Sequence, residues 1–414
     1  MKSNVALPLA NHEKLDLKKG LEEVFFGAVN RFVYIAGHSK SSRTAFYTIY
    51  KVFAKLMITF FVSCELWYMF TKCDTWFDVV ECINGIVINF MAFYRYINML
   101  NHKEVFKELS KSMELPYFDV TTSKRQALMQ YWIKTNRDYT KLLLALGHFT
   151  LFVWYIYPLI DDIEYNLCIN IRLPFFYHSP VMYPLAYLLV MVSFQYTAWF
   201  VMTNDLIMQT HFIHHICQYT ILGDCFENII SDCLPDNETK ESLENNGRFT
   251  DVNVSFRCVK RLDNLIEQHK TLLKHTEQLK TVLSAPMTMQ VMISSIQICF
   301  AGYQAAHAGV AKLMMSLLYL GYNMFELLIF CRWSDEIKEQ SQSIQNAAYF
   351  SGWEHGLALI PGIRARLMLI IARAAKSEGL TAGGIYELSL QSYGSLVKTS
   401  YSALNLLLQL EKGE

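Results

Sequence analysis

The residues whose types and spacing could do chemistry fall into three groups. Near the C-terminus Ser392, Ser395, Thr399, Ser402, Asn405 and Gln409 recur every three or four positions, which gathers hydroxyls and amides into one arc of a helix. Leu390, Val397, Leu404 and Leu408 fall on the opposite arc. In a membrane such a polar stripe either faces water and ions or packs against another helix. A second group is ionisable: Glu65, Arg95, His148 and Glu326 lie within apolar stretches and would form a charge relay if they met. Arg95 and Glu326 sit near the ends of those stretches, where snorkelling to the interface suffices. Third, His211 and His214 are one turn apart, with His215 beside them. No thiol or carboxylate completes a ligand set at the required spacing, so neither metal nor cofactor is expected. A nucleophile with its base is not visible, nor is a phosphate loop, which argues against an enzyme.

The elements that must position these groups are apolar helices. Of 414 residues, 52% are hydrophobic, 14% aromatic and only 18% charged, a composition of polytopic membrane proteins. Seven windows are apolar enough to span: Val52–Phe70, Val79–Leu100, Leu142–Ile160, Val181–Met202, Met287–Ala308, Leu313–Phe330 and Gly384–Leu410. The predicted fold is therefore all-α with seven transmembrane helices. Residues 1–51 form an N-terminal segment, 52–202 hold spans one to four, and 203–286 are a helical extension. Spans five and six occupy 287–330, anchor helices 331–383, and the last span and C-terminus 384–414. Leu262, Leu265, Ile266, His269, Leu272, Leu273, Thr276, Leu279 and Leu283 give the extension an apolar helical face. A loop is predicted around 235–247, and a tight turn near Gly309–Lys312. Two further helices, parted near Gly356, precede the glycines Gly379, Gly383 and Gly384. The first 23 residues lack the apolar core of a signal peptide. Cys73 and Cys168 are the cysteines placed to meet an oxidising lumen.

The stretch from Leu265 to Tyr303, with His269 and Cys299, is followed by one carrying Cys331, Ser341, Tyr349 and Trp353. The serine- and tyrosine-rich ending from Thr381 to Leu410 completes the pattern. Together these resemble the insect odorant receptors. Insect taste receptors share the architecture, but the Tyr349–Trp353 block and the ending after Thr399 look more like the odorant branch. The resemblance implies a ligand-gated cation channel of four subunits. In it an odorant-tuned chain joins a shared co-receptor in the plasma membrane of olfactory neuron dendrites, and each chain gives its last helix to a pore. Aligned on the co-receptor's ending, the constriction falls on Leu406, Gln409 and Leu410, on the arc of Ser402 and Asn405. Lys398 and Asn405 depart from that pattern, and Glu387 lies too far from Lys398 to pair with it directly.

A small volatile needs an aromatic pocket with one or two polar groups. Phe90, Phe93 and Tyr94 in span two and Gly147, Thr150 and Trp154 in span three are candidates. So are Phe194 and Thr197 in span four and Met315, Tyr319 and Tyr322 in span six. A heptahelical receptor coupled to a G protein and a secondary transporter are the competing readings, although no repeated broken-helix pair marks a transporter.

Basic residues choose the orientation. They cluster before span one (Lys2 to Arg43), between spans two and three (Lys103 to Arg137), four and five (Lys240 to Lys280), and six and seven (Arg332 to Lys376). The alternate segments hold Lys72, Arg172, Lys312 and Lys412. The N-terminus is thus expected in the cytoplasm and the C-terminus outside, the reverse of a G-protein-coupled receptor. The acceptor patterns at Asn237 and Asn253 would then stay bare. Glycosidase treatment of membrane-expressed protein is expected to leave its gel mobility unchanged; a downward shift would reverse the topology.

Overall fold

A computed structural model describes residues 20–39, 44–72, 76–160, 163–233, 252–307, 310–353 and 360–412. In chain order the elements are α1 (Leu21–Ile35), α2 (Ala45–Lys72), α3 (Trp76–Asn101), α4 (Lys103–Ser110), α5 (Ser123–Ile160), α6 (Met182–Glu227) and α7 (Ile229–Cys233). They continue with α8 (Val252–His307), α9 (Val310–Tyr349), α10 (Ile363–Ala374), strands β1 (Thr381–Ala382) and β2 (Tyr386–Glu387), and α11 (Leu390–Lys412). The predicted 235–247 loop, Asn237, Cys73, Gly309 and Gly356 lie outside the described residues.

Helix length organises the molecule. At 46 and 56 residues, α6 and α8 are roughly 70 and 85 Å long, two to three times the ~30 Å of a hydrocarbon layer. Each therefore spans and continues. The divisions expected at 202/203, 286/287 and 330/331 fall inside unbroken α6, α8 and α9. Among the described residues α2, α5, α6, α8 and α9 are long and apolar enough to cross a membrane. α3 packs beside α2, α6 and α8, and α11 beside α8 and α9. The chain is a polytopic all-α membrane protein.

Beyond their apolar stretches the long helices form a second bundle, the base, whose core is continuous. Phe212, Ile216, Tyr219, Leu222 and Phe226 of α6 pack with Leu262, Leu265, Leu272 and Leu279 of α8 and with Trp333, Ile337 and Ile344 of α9. The face predicted for 262–283 is the one α8 buries there, with Ile266 and Leu273 at its half-buried edge. Sequence reasoning missed α1, which buries Phe25, Phe26, Val29 and Phe32 and packs on α5 and α6. Arg125, counted among the orienting cations, is buried instead, with its guanidinium on Asp119 (2.6 Å), Asp224 (2.9 Å) and Asp232 (2.6 Å). Burying arginine requires this kind of full pairing. His215 meets Thr276 at 2.7 Å, while His211 and His214 lie against the rings of Phe26 and Phe25.

The last helix begins later than expected. Residues 384–389 are not helical: Gly383 and Gly384, at φ +62° and +73°, turn the chain between β1 and β2, a backbone region that glycine enters without strain. Ser389 then caps α11, its Oγ accepting from Ser392 N–H at 3.0 Å, and Asp335 accepts from Leu390 N–H at 2.7 Å. Glu387 pairs with Lys338 at 2.5 Å. The buried Ser341 hydroxyl accepts from Glu378 N–H. The hairpin thereby fastens α11 to α9.

Pro286 lies inside α8 and removes the N–H that the Val282 carbonyl would have accepted. Asn98 of α3 supplies a replacement, its side-chain amide donating to Val282 O at 3.0 Å. Asn98→Leu should destabilise the fold by about 1–3 kcal/mol, read as a lower thermal midpoint in detergent. In a Pro286→Ala background the same substitution should cost measurably less, because the helix regains its own donor.

Candidate ligand cavity and its charged floor

Six helices, α2, α3, α5, α6, α8 and α9, enclose a cavity of about 160 Å³. Gly147, Thr150 and Trp154 reach it from α5, Phe194 and Thr197 from α6, and Met315, Tyr319 and Tyr322 from α9. These eight sequence candidates are brought together in space. Trp154 and Phe194 meet edge to face at 5.9 Å, and Trp154 lies 6.5 Å from Tyr319. Phe61 of α2 stacks on Phe194 at 5.3 Å. Gly147 leaves no open space, since a Cβ there would meet the Met202 methyl group. The hydroxyls of Thr150 and Thr197 donate to backbone oxygens within their own helices, Leu146 O and Ser193 O.

Phe90, Phe93 and Tyr94 do not line the cavity. At 100° per residue they fall on the arc of α3 opposite Asn84, Gly85, Ile88, Ala92 and Arg95, which do. Phe90 and Phe93 are exposed on the bundle's exterior, and Phe93 packs on Phe200. Bulky rings suit a lipid-facing surface, whereas small amides on the inner arc let α3 approach its neighbours closely.

At one end the cavity has a charged floor. Arg95 is 3% exposed and does not snorkel: its guanidinium pairs with Asp205 of α6 and with Glu326 of α9 at 2.8 Å, and donates to Gln290 of α8. The Tyr322 hydroxyl donates to Asp205 at 3.5 Å, and the Phe330 ring lies 5.5 Å from the guanidinium. Snorkelling failed as an expectation because α6 and α9 continue into the base, so protein, not water, lies beyond the apolar windows. Asp205 and Gln290 were missed for the same reason, each standing just beside a window edge. Of the other ionisables, Glu65 lines the cavity. His148 lies on the bundle's exterior, bonded to Trp199 at 3.1 Å, so the four do not form one relay.

The groups of the floor are committed to one another. Towards the α2–α3 turn Glu65 accepts from Asn89 at 2.9 Å, and Tyr319 donates to Asn84 O at 3.3 Å. The cavity thus carries an aromatic girdle between two polar ends.

On the opposite flank α11 packs against α8, where Gly302 leaves room for Leu404. Ser395, Thr399, Ser402, Asn405 and Gln409 are exposed, so nothing among the described residues covers that stripe. Lys398 shares the exposed arc, and Leu390, expected on the packed side, is exposed too. The side chains of Leu406, Leu408 and Leu410 lie outside the described residues.

A family model described as "7tm Odorant receptor" matches residues 79–401. Odorant receptor 10 of Aedes albopictus is 21% identical over 358 residues, 85% of this chain and 88% of that protein. Odorant receptor 82a of Drosophila melanogaster is 28% identical over 153 residues, 36% of this chain and 39% of that one. The olfactory receptor OR5 of Machilis hrabei, solved with eugenol, matches with a TM-score of 0.74 at 16% identity, covering 93% of this chain and 98% of that one. This last likeness is one of fold.

Arg95→Met would strand two buried carboxylates, at a cost of about 3–5 kcal/mol. The expected readout is a collapse in the yield of monodisperse protein after detergent extraction. Replacing Asp205 and Glu326 together with Arg95 by apolar residues of similar volume should recover much of that yield.

Proposed function

The chain belongs to the 7tm odorant receptor family, and from that premise we propose that it is the odorant-tuned subunit of a ligand-gated, non-selective cation channel. A small volatile occupies the cavity, and α11 lines a central pore shared with co-receptor subunits in a heterotetramer. The orientation is the one the basic residues favour, with the N-terminus cytoplasmic and the cavity in the outer half of the membrane of an olfactory dendrite. The observation that carries this reading is the hydroxyl and amide face of α11, which the described residues of its own chain leave bare. In hydrocarbon such a face is unfavourable, whereas around a wetted axis it solvates ions. Ser402 and Asn405 are assigned to the pore wall, and Leu406, Gln409 and Leu410 to a constriction whose leucines close it by excluding water. Eugenol, held by the solved relative, is a single-ring volatile. A cavity of about 160 Å³ suits that class, since an engineered apolar cavity of ~150 Å³ holds benzene.

Co-expression with a co-receptor should give inward current on exposure to some member of a broad volatile panel. Ser402→Cys should make that current sensitive to a water-soluble thiol reagent, with block of about half or more if the position lines the conduction path. A G-protein response without current, or substrate flux without current, would replace this reading with a heptahelical receptor or a transporter. An unmodified Ser402→Cys current would move the pore elsewhere.

A further inference from the structure

The end of the cavity away from Arg95 holds a buried carboxyl group without a cation beside it among the described residues. Glu65 is 2% exposed, and among the described residues it has no ion pair. Arg95 lies six residues beyond Asn89 on α3, about 9 Å along the helix axis, and is already committed to Asp205 and Glu326. Gly85 lets the carboxylate lie directly on α3, because a Cβ at that position would overlap Glu65 Oε1. What Glu65 has is one neutral donor, the Asn89 amide at 2.9 Å. Beside it Asn84, 7% exposed and lining the same cavity, keeps its side-chain oxygen without a partner. The Tyr319 hydroxyl is engaged, donating to Asn84 O and lying 3.4 Å from the Gln297 amide. The same cavity is lined by the rings of Phe61, Trp154, Phe194 and Tyr319.

A buried carboxylate calls for a cation, and aromatic rings lining the same cavity attract one through their quadrupoles. The Trp154 indole N–H is also unpartnered and would suit a ligand acceptor. A bare charge is costlier in this setting than a bare neutral donor, so the carboxylate decides. Resting on the reading of this cavity as the odorant site, we infer that its preferred ligand is a small amine. It enters as the ammonium ion, whose N–H groups bond Glu65 and Asn84 while its hydrocarbon part fills the aromatic girdle. The cavity volume limits that part to about one ring. A primary amine near the ordinary ammonium pKa of roughly 10 is charged at neutral pH.

The test compares 2-phenylethylamine with its neutral isostere 2-phenylethanol on the complete receptor, co-expressed with co-receptor and recorded as current. The amine should activate at a concentration at least about tenfold lower, the factor that 1.4 kcal/mol of binding provides. Glu65→Gln should raise the amine's half-maximal concentration about tenfold or more while moving the alcohol's less than about threefold. Asn84→Leu, which removes the second acceptor offered to the ammonium, should raise the amine's half-maximal concentration more than the alcohol's and serves as the second variant if Glu65→Gln fails to reach the surface. Equal potency of the two ligands, preference for the alcohol, or equal loss of both in surface-expressed Glu65→Gln would overturn the inference and leave the channel reading intact. Absence of current with any volatile from a surface-labelled complex would overturn the channel reading itself, and this inference with it.

Discussion

The guanidinium of Arg95 is the point on which the packing of the spanning helices depends. An arginine does not give up its proton, so in a low-dielectric interior it must be matched by anions or the segment does not stay there. Here the partners come from three different helices, Asp205 on α6, Glu326 on α9 and Gln290 on α8, with Arg95 itself on α3. A rotation of any one of the four by a single residue would move its side chain by about 100° and break the set. The pairing therefore fixes the register of four helices at one level. On one side of that level the α6 surface is buried almost all round, from Leu206 to Phe226. On the other the same helices part and leave the cavity.

This arrangement explains which parts were legible in the sequence. Helical periodicity located the long elements and the buried face of α8, because burial on one side writes itself as a repeat of three to four residues. The same rule would have found α1, since Phe25, Phe26, Val29 and Phe32 share a face, but one apolar stripe in a polar segment is a weaker signal than a greasy window. Cavity residues were recovered on α5, α6 and α9, where rings and small residues lie together on the inner arc. On α3 the aromatic residues mark the outer arc, because the inner arc carries no ring and is made of Asn84, Gly85, Ile88, Asn89, Met91, Ala92 and Arg95. Residue type was the wrong guide at that helix; angular position would have been the right one.

Treating each apolar window as an isolated span hid the charged floor. Arg95 and Glu326 were visible as ionisable residues near window ends, and a window end is normally where side chains find water. That inference fails when helices continue unbroken into a second protein core, as α6, α8 and α9 do. Pro286 poses the same problem in the backbone. Its missing N–H leaves the Val282 carbonyl to be satisfied by α3 through Asn98, a long-range contact that no local pattern encodes.

One helix joins the cavity to the flank where α11 lies. On α8, Gln290, Ile293 and Gln297 line the cavity, and within the next turn or two Cys299 donates to Ser400 O at 3.5 Å while Gly302 receives Leu404. On the other side of that wall, near the middle of α8, the Ser284 carbonyl accepts from Gly383 N–H in the hairpin that starts α11. So α8 touches the last helix above its start and at its root, with the cavity wall between the two contacts. A helix over three turns is stiff compared with the side chains packed on it. Tilting the 290–297 segment must then shift α11 at its Cys299 and Gly302 contacts or strain them, while Pro286, between that segment and Ser284, is the place where α8 bends most readily and leaves the root contact as the pivot. Coupling between an occupied cavity and the polar face of α11 needs no longer relay than this shared rod, provided the rod has two resting positions that the ligand distinguishes.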